Sequence, residues 1–386
     1  MKMIYIKHRS GKIMNRFAIS AILAAKELGI DFTIANNMSM AEKGHFEKIC
    51  EQYGIKMVHI DFSRNPISLH NFKAKKQLLE LMRNEKYDIM HCNTPTGGVI
   101  GRFCAAQMKT PIVIYMAHGF HFWRGAPIKN WLCYYPVERY LAHYSDRIIT
   151  INQEDYSVAK RFKYKNGGCA AYVPGVGIEV EKYQSPIDQA QRDALRAEMY
   201  VPKDAILIIS VGELNKNKNH SIVIRALAKL SNKNIHFCVA GEGKYRKGLE
   251  VLARKLNVAD QVHLLGYRQD VPLLYKASDV FCIPSLREGL PVSLMEAMAS
   301  GLPCVASRIR GNIDLLDNSE LMFQADDVNS LCDALCKAMN TKISLAEVYR
   351  NRETLEKFSL QTAVKAMKDV YINAIDSSGL NGQYCE

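Results

Sequence analysis

The chain contains no Cys-x-x-Cys pair, no low-complexity tract and no repeat of solenoid period. It also has no apolar run near the ~20 residues that a membrane-spanning helix needs. Each absence removes a class. Without paired thiols a structural zinc site has no ligand set. The eleven cysteines stand singly and read as small buried hydrophobes in a reducing compartment. The amino terminus, MKMIYIKHRSGKIMNRF, lacks the uninterrupted apolar core of a secretory leader, so none is expected. A soluble or surface-attached protein is expected, not an integral one. No nucleic-acid-binding motif is present, although the chain is basic.

What is present is ordinary globular material: 386 residues, 48% hydrophobic and 23% charged, enough for two or three domains. The net charge is +12, which invites an anionic partner. Its distribution is uneven. Residues 1–183 hold 26 Lys and Arg against 15 Asp and Glu, so nearly all the excess lies in the N-terminal half.

Short β-rich runs alternate with helical patterns. In the first half, residues 3–6, 31–35, 56–60, 87–92, 111–117 and 146–151 read as strands, with helices such as 16–29 and 68–85 between them. Continuous apolar runs separated by helices predict a parallel sheet covered on both faces. The stretch 173–186 is rich in Pro, Gly and polar residues and reads as a linker. From residue 205 the alternation restarts, with strands at 205–213, 234–243, 261–267, 278–285 and 302–307 and helices at 218–231, 244–257 and 291–300. The expected organisation is two doubly wound α/β domains facing across a cleft: 1–178, a linker region 179–204, and 205–350. The C-terminal helices within 351–386 are expected to pack back toward the first domain. Ligands of open parallel sheets bind outside the carboxyl ends of the strands.

One such strand end carries SLREGLPVSLMEAMASGLPCVAS, residues 285–307. Pro291 fits the start of a helix and Gly301 the position just past its end. Glu288 then precedes the helix and Glu296 lies inside it, about 7–8 Å further along the axis. The amides near Gly289 and Leu290 sit between the two acids at the positive end of the macrodipole, an anion site with a carboxylate on either side. A nucleotide sugar suits this arrangement, with its diphosphate at the helix entrance and hydroxyls at each carboxylate. On spacing alone, a dipole-favoured Glu288 and a solvated Glu296 are an equal reading.

In context, the stretch resembles the donor-binding segment of the retaining glycosyltransferases of family 4, which have the GT-B fold and an E-x7-E motif. HGFHFWRGAPIKNWLCYYPVERYLAHYSDRIITINQEDY (118–156) is similar to the subgroup that builds bacterial capsules and exopolysaccharides. VGELNKNKNHSIVIRAL and LLGYRQDV also fit the family. The resemblance implies that Glu296 binds the donor ribose and that Glu288 contacts the transferred sugar. It puts the amides of Gly289 and Leu290, with the ammonium of Lys218, on the diphosphate. Many relatives place a second cation where this chain has Glu213, which makes that residue a weak donor-site candidate. His118, in YMAHGF, aligns with a histidine near the sugar, and His121 is a weaker acceptor-side candidate. A Gly-rich loop of many relatives is only faintly present as Ser10, Gly11 and Asn15, where acceptor contacts are placed.

No Asp-x-Asp occurs in the chain, so no metal is expected and the helix dipole and Lys218 are expected to neutralise the leaving diphosphate. No cofactor is expected besides the UDP-sugar substrate. The resemblance further implies retention by a front-face mechanism, with a hexose or N-acetylhexosamine passing to a lipid-linked saccharide, on an undecaprenyl diphosphate. It also implies a cytoplasmic enzyme peripheral at the inner face of the membrane. KAKK (73–76), Arg83 and WRGAPIKNW (123–131) mix cations with interfacial aromatics and suit an anionic bilayer. Two rivals stand beside this reading. A UDP-sugar epimerase of the same fold would convert donor without acceptor, and a non-catalytic nucleotide-sugar-binding protein would bind donor without turnover.

Overall fold

The computed structural model describes residues 1–380 apart from 9–17, 42, 64, 66, 67 and 318. The chain folds as two compact units, one of Met1–Gly177 with the segment from Leu360 onward, the other of Ile178–Ser359.

The first unit is built on a seven-stranded sheet: β1 (Lys2–Ile6), β2 (Asp31–Asn36), β3 (Lys56–His59), β4 (Ile89–Asn93), β5 (Ile112–Ala117), β6 (Arg147–Thr150) and β7 (Cys169–Tyr172). Its order is β3-β2-β1-β4-β5-β6-β7 and every pairing is parallel. Helices follow the strands, as parallel crossovers require. β4 and β5 are buried along their whole length, which is why they read as apolar runs. Side chains alternate across the sheet. Met90 and Cys92 enter the main apolar cluster with Ile4, Ile6, Val113 and Tyr115. His91 and Asn93, also buried, fall on the opposite face. That face is covered by the helix Leu360–Ser378, which buries Met367, Val370, Tyr371 and Ala374 and packs along the helix Ile19–Glu27. Arg147 fastens its end, donating to the Asn373 carbonyl and to Ser377, each at 2.8 Å.

The second unit has a six-stranded parallel sheet: β8 (Ile206–Val211), β9 (Ile235–Ala240), β10 (Val262–Gly266), β11 (Val280–Ile283), β12 (Cys304–Ser307) and β13 (Met322–Phe323), in the order β10-β9-β8-β11-β12-β13. In each sheet the strand order reverses beside the first strand, between β1 and β4 and between β8 and β11. Those switch points are where open α/β sheets take ligands.

The boundaries differ from expectation in two places. Residues 179–204 are not a free linker but part of the second unit. They hold a 3-10 turn at Val180–Tyr183 and a helix Gln189–Glu198, opened by a capping box between Asp188 and Gln191. Buried Arg196 ties this helix to the sheet, donating to the carbonyls of Ala277, Lys203 and Ala205 and to the Asp279 carboxylate. At the C-terminus only the last helix joins the first unit. The helix Thr341–Glu356 buries Glu347, Asn351 and Leu355 against the second unit's own helices, Val292–Ala299 and Asn312–Leu316. β7 and the two-residue β13 were also not expected. Both are short edge strands, of four and two residues.

Of the ten described cysteines, all free, Cys92, Cys104, Cys238, Cys282, Cys304 and Cys332 are buried, whereas Cys133, Cys169 and Cys336 are exposed. Among the described residues no helix is long and apolar enough to cross a membrane.

Candidate active site

In the second unit the loops after β8 and β11 meet at the switch point. Leu214, fully buried, anchors the first loop in the core. Asn217 staples it to the second: its side chain donates to the Arg287 carbonyl at 2.9 Å, and its own carbonyl accepts from the Leu286 amide at 2.8 Å. Lys218 follows, its amide held by the Asn215 side chain at 3.0 Å, and its ammonium lies 2.8 Å from a Glu288 carboxylate oxygen. Both side chains of this pair are largely buried, 20% and 14% exposed, so the charges are shielded from water more than a surface pair would be. His220 opens the next helix. Burial, with the Lys218 charge adding to it, pushes its pKa down to about 3, so the ring is neutral.

Neighbouring loops form the floor by backbone contact. A Cβ on Gly241 would lie 1.9 Å from the Gly212 carbonyl oxygen. Gly311, with φ +77°, brings the loop after β12 so close that a Cβ would lie 2.3 Å from the Gly289 carbonyl. No larger residue fits at either point. Buried Arg310, beside Gly311, donates from Nε to the Glu288 carbonyl at 3.2 Å.

The helix Val292–Ala299 begins beyond this loop. Pro291 is its N-cap rather than its first residue, and no side chain caps it. No capping side chain therefore claims the first-turn amides, and the positive end of the helix dipole lies next to Gly289 and Leu290. Gly301 lies just past the helix end with φ +81°, as the pattern predicts. Glu296 is half-buried on this helix. Tyr183 donates to one of its oxygens at 2.6 Å, and the Tyr275 hydroxyl lies 3.3 Å from the other and 3.2 Å from the Ser293 carbonyl, which compete for its one proton. The structure thus brings Lys218, Glu288, Gly289, Leu290 and Glu296 together in one unit. Glu213 is on the same loop but exposed, and it makes none of the ion pairs found among the described residues.

His118 belongs to the first unit, just beyond β5. It is half-buried, and its Nε2 is hydrogen-bonded to the Asn93 side chain at the end of β4. Burial, reinforced by the nearby Lys7 charge, pushes its pKa down to about 4. Lys7 ends β1 at the same switch point. It is only 8% exposed, and burial lowers its pKa to about 8. Asp155 secures the loop after His118 by accepting from the Phe120 amide at 2.9 Å. His121 is half-buried against the Tyr134 ring, with centroids 4.9 Å apart, and its carbonyl accepts from Asn130. The candidates Ser10, Gly11 and Asn15 lie outside the described residues.

Residues 191–354 match the family model of glycosyl transferases group 1, and residues 11–152 match that of glycosyl transferase 4-like proteins. A Bacillus subtilis protein named as the glycosyltransferase EpsD is 34% identical over 326 residues, which cover 82% of this chain and 84% of that protein. The chain belongs to this glycosyltransferase family. The transferase is also 28% identical over 346 residues to the Escherichia coli UDP-Gal:α-D-GlcNAc-diphosphoundecaprenol α-1,3-galactosyltransferase, covering 85% of this chain and 88% of that one. Among solved structures it superposes on Anabaena HepE, bound to UDP and glucose, with a TM-score of 0.77 at 19% identity, over 97% of this chain and all of that one. It superposes on WaaG, a glycosyltransferase of lipopolysaccharide biosynthesis, with a TM-score of 0.72 at 16% identity, over 95% and 99% of the two chains. These structures establish the GT-B fold for the transferase.

In each unit, sequence reading missed residues that lie beside the candidates. Tyr183 and Tyr275 act through space on Glu296 from distant segments, and nothing in their local pattern marks them. Lys7 carried a signal, a lysine ending an otherwise apolar first strand. Asn93 ended β4 in the same way.

Proposed function

We propose that this glycosyltransferase moves a hexose or N-acetylhexosamine, with retention and without a metal, from a UDP-sugar to a saccharide carried on a lipid diphosphate. The observation that carries the reading is the Lys218–Glu288 pair, at 2.8 Å, at the entrance of the uncapped helix whose interior holds Glu296. With no ligand, the ammonium and the carboxylate neutralise each other. A diphosphate at the helix entrance draws Lys218 and frees Glu288 to accept from the sugar hydroxyls, while Glu296, steadied by two tyrosines, takes the ribose. Charge on the leaving UDP is then met by fixed donors and one cation, an electrostatic arrangement that needs no divalent ion. No separate carboxylate nucleophile is assigned. The leaving phosphate oxygen takes the proton of the acceptor hydroxyl as the new bond forms on the same face. The choice of UDP and of a diphosphate-lipid acceptor is supported by the name of the Escherichia coli relative, and a role in capsule or exopolysaccharide synthesis rests on the sequence resemblance of residues 118–156.

A lipid acceptor asks for attachment at the inner face of the cytoplasmic membrane, and the first unit offers a surface for it. The helix Ile128–Leu141 leaves Ile128, Leu132, Tyr134, Val137 and Tyr140 exposed, Ile128 by 73% and Leu132 by 70%, with Arg124, Lys129 and Arg139 beside them. The helix His70–Asn84 adds exposed Phe72, Lys73 and Lys76. Apolar side chains flanked by cations suit an anionic bilayer, at about 1 kcal/mol per cation near the surface. Trp131 does not form this surface. It packs against the apolar cluster and donates to the Trp123 carbonyl at 3.2 Å.

A thermal-shift screen of the full chain in EDTA, with UDP-, GDP- and TDP-sugars, tests the donor assignment. Stabilisation by a UDP-sugar is expected. No shift with any UDP compound refutes it.

A further inference from the structure

At the end of the first sheet away from His118, the starts of β5 and β6 border a cavity of about 600 Å³. Pro111 and Asp146, just before those strands, line it, whereas His118 follows the other end of β5, roughly 20 Å along the strand. The helix Pro95–Met108 supplies one wall and the end of the helix Leu360–Ser378 another, all within the first unit.

The charge of this cavity is lopsided. Among the described residues its lining holds the cations Lys109, Arg147 and Lys165 and a single carboxylate, Asp146. Lys165 takes that carboxylate at 3.3 Å and also donates to the Thr110 and Pro111 carbonyls. Lys109 is exposed and makes none of the ion pairs found among the described residues. Arg147 is only 7% exposed. Elsewhere in the chain a guanidinium this deep holds a carboxylate: Glu138 lies 3.0 Å from Arg102, and Asp279 lies 2.6 Å from Arg196. Arg147 has no such partner among the described residues. It donates instead to the carbonyls of Asp146 and Asn373 and to the Ser377 hydroxyl. A helix end supplies only about half a negative charge. A guanidinium has five donors, and Nε of Arg147 makes no hydrogen bond yet stays open to solvent. A buried charge without a counter-ion is costly, and an anion in the cavity relieves that cost.

The same cavity has an aromatic exit. Tyr144 lines it, with its hydroxyl 2.9 Å from that of Tyr140 and its ring edge-on to Phe103 at 5.5 Å. Tyr140 and Phe103 are exposed, so the lining runs on into the apolar face of the helix Ile128–Leu141. We propose that this cavity binds a phosphate ester, with Arg147 Nε and the Lys109 ammonium on the phosphate oxygens and the Tyr144 and Phe103 rings against the organic part. An anionic lipid headgroup and a soluble organic phosphate offer the same chemistry. The proposal rests on neither the donor reading nor the membrane reading above.

Isothermal titration calorimetry of the full chain tests this without a membrane surface. One probe is dihexanoylphosphatidylglycerol below its micelle concentration, the other glycerol 3-phosphate. Saturable binding of at least one is expected. Binding of the lipid alone identifies a headgroup ligand; glycerol 3-phosphate bound as tightly as the lipid, or alone, identifies a soluble one, and either result supports the site. Lys109→Glu is expected to weaken binding about tenfold or more, with the unfolding temperature unchanged. Arg147→Gln is expected to abolish it; because Arg147 also holds a helix end, Lys109→Glu decides the matter if that variant fails to fold. Absence of saturable binding by both probes overturns the proposal. So does unchanged affinity in Lys109→Glu, or displacement of the probe by UDP, which places it in the donor site instead.

Discussion

Replacing Lys218 with methionine removes the ammonium that pairs with the Glu288 carboxylate at the helix entrance while keeping most of the side-chain volume. Two consequences separate cleanly. For stability, the carboxylate loses a charged hydrogen bond of 2.8 Å in a site where its side chain is 14% exposed. Charge-assisted bonds of this kind are worth about 1.5–3 kcal/mol net, and the carboxylate left without its ammonium pays the cost of partial burial. For catalysis, the leaving diphosphate loses its ammonium. Losing one preorganised donor to a developing oxyanion costs about 10²–10³ in kcat, or about 3–4 kcal/mol of transition-state stabilisation. Purified Lys218→Met, Glu288→Gln and the double variant should be compared by thermal unfolding and by initial rates of UDP release. Lys218→Met is expected to unfold several degrees lower, and the double variant to regain most of that loss because the buried charge is gone. Its turnover is not expected to recover. If Lys218 served only to neutralise Glu288, the double variant would match Glu288→Gln in rate. That match, or Lys218→Met turnover within threefold of wild type, refutes the assignment.

Glu296→Ala should abolish UDP-sugar binding by calorimetry. Tyr183→Phe, losing one 2.6 Å hydroxyl, should weaken that binding about tenfold while leaving the fold intact, and unchanged affinity would show the tyrosine to be idle. Leu132→Glu combined with Tyr140→Glu should release the protein from vesicles rich in anionic lipid in a flotation assay, with solution activity on a short-chain acceptor retained. Stability should fall as pH drops from 7 toward 4. The folded-state pKa values of His118, about 4, and of His91 and His220, about 3, are below the ordinary histidine value. The unfolded chain therefore binds more protons through that window, and at about 1.4 kcal/mol per unit the loss amounts to several kcal/mol. A urea midpoint that is flat between pH 7 and 5 would contradict it.

Much of this was readable from sequence, because the signals were local. Completely buried parallel strands such as IMHCN and IVIYMA betray themselves as apolar runs. The helix at 292–299 announced itself through Pro291 and Gly301, and that placed both glutamates. The features missed depend on through-space partners or on weak edges. The helix Gln189–Glu198 had a legible capping box in Asp188 and Gln191, but its surroundings are polar. What binds it is Arg196, whose carbonyl partners lie up to 81 residues away. Tyr183 reaches Glu296 across 113 residues, and Tyr371 reaches His91 across 280. No local pattern encodes such pairs. The polar side chains of Tyr5, His91 and Asn93 showed as breaks in otherwise apolar strands, and only the parallel register sets the three on one face.

The central claim is that the chain transfers a sugar from UDP to a lipid-diphosphate saccharide with retention and without metal. The most direct measurement incubates the full chain in excess EDTA with a panel of radiolabelled UDP-sugars and undecaprenyl-diphosphate-linked N-acetylglucosamine. The organic phase is extracted, and the linkage of any labelled product is determined by NMR. The account predicts label in the lipid fraction from at least one α-linked UDP-sugar, joined by an α bond. A β-linked product, a strict requirement for a divalent ion, or transfer only from GDP- or TDP-sugars would contradict it.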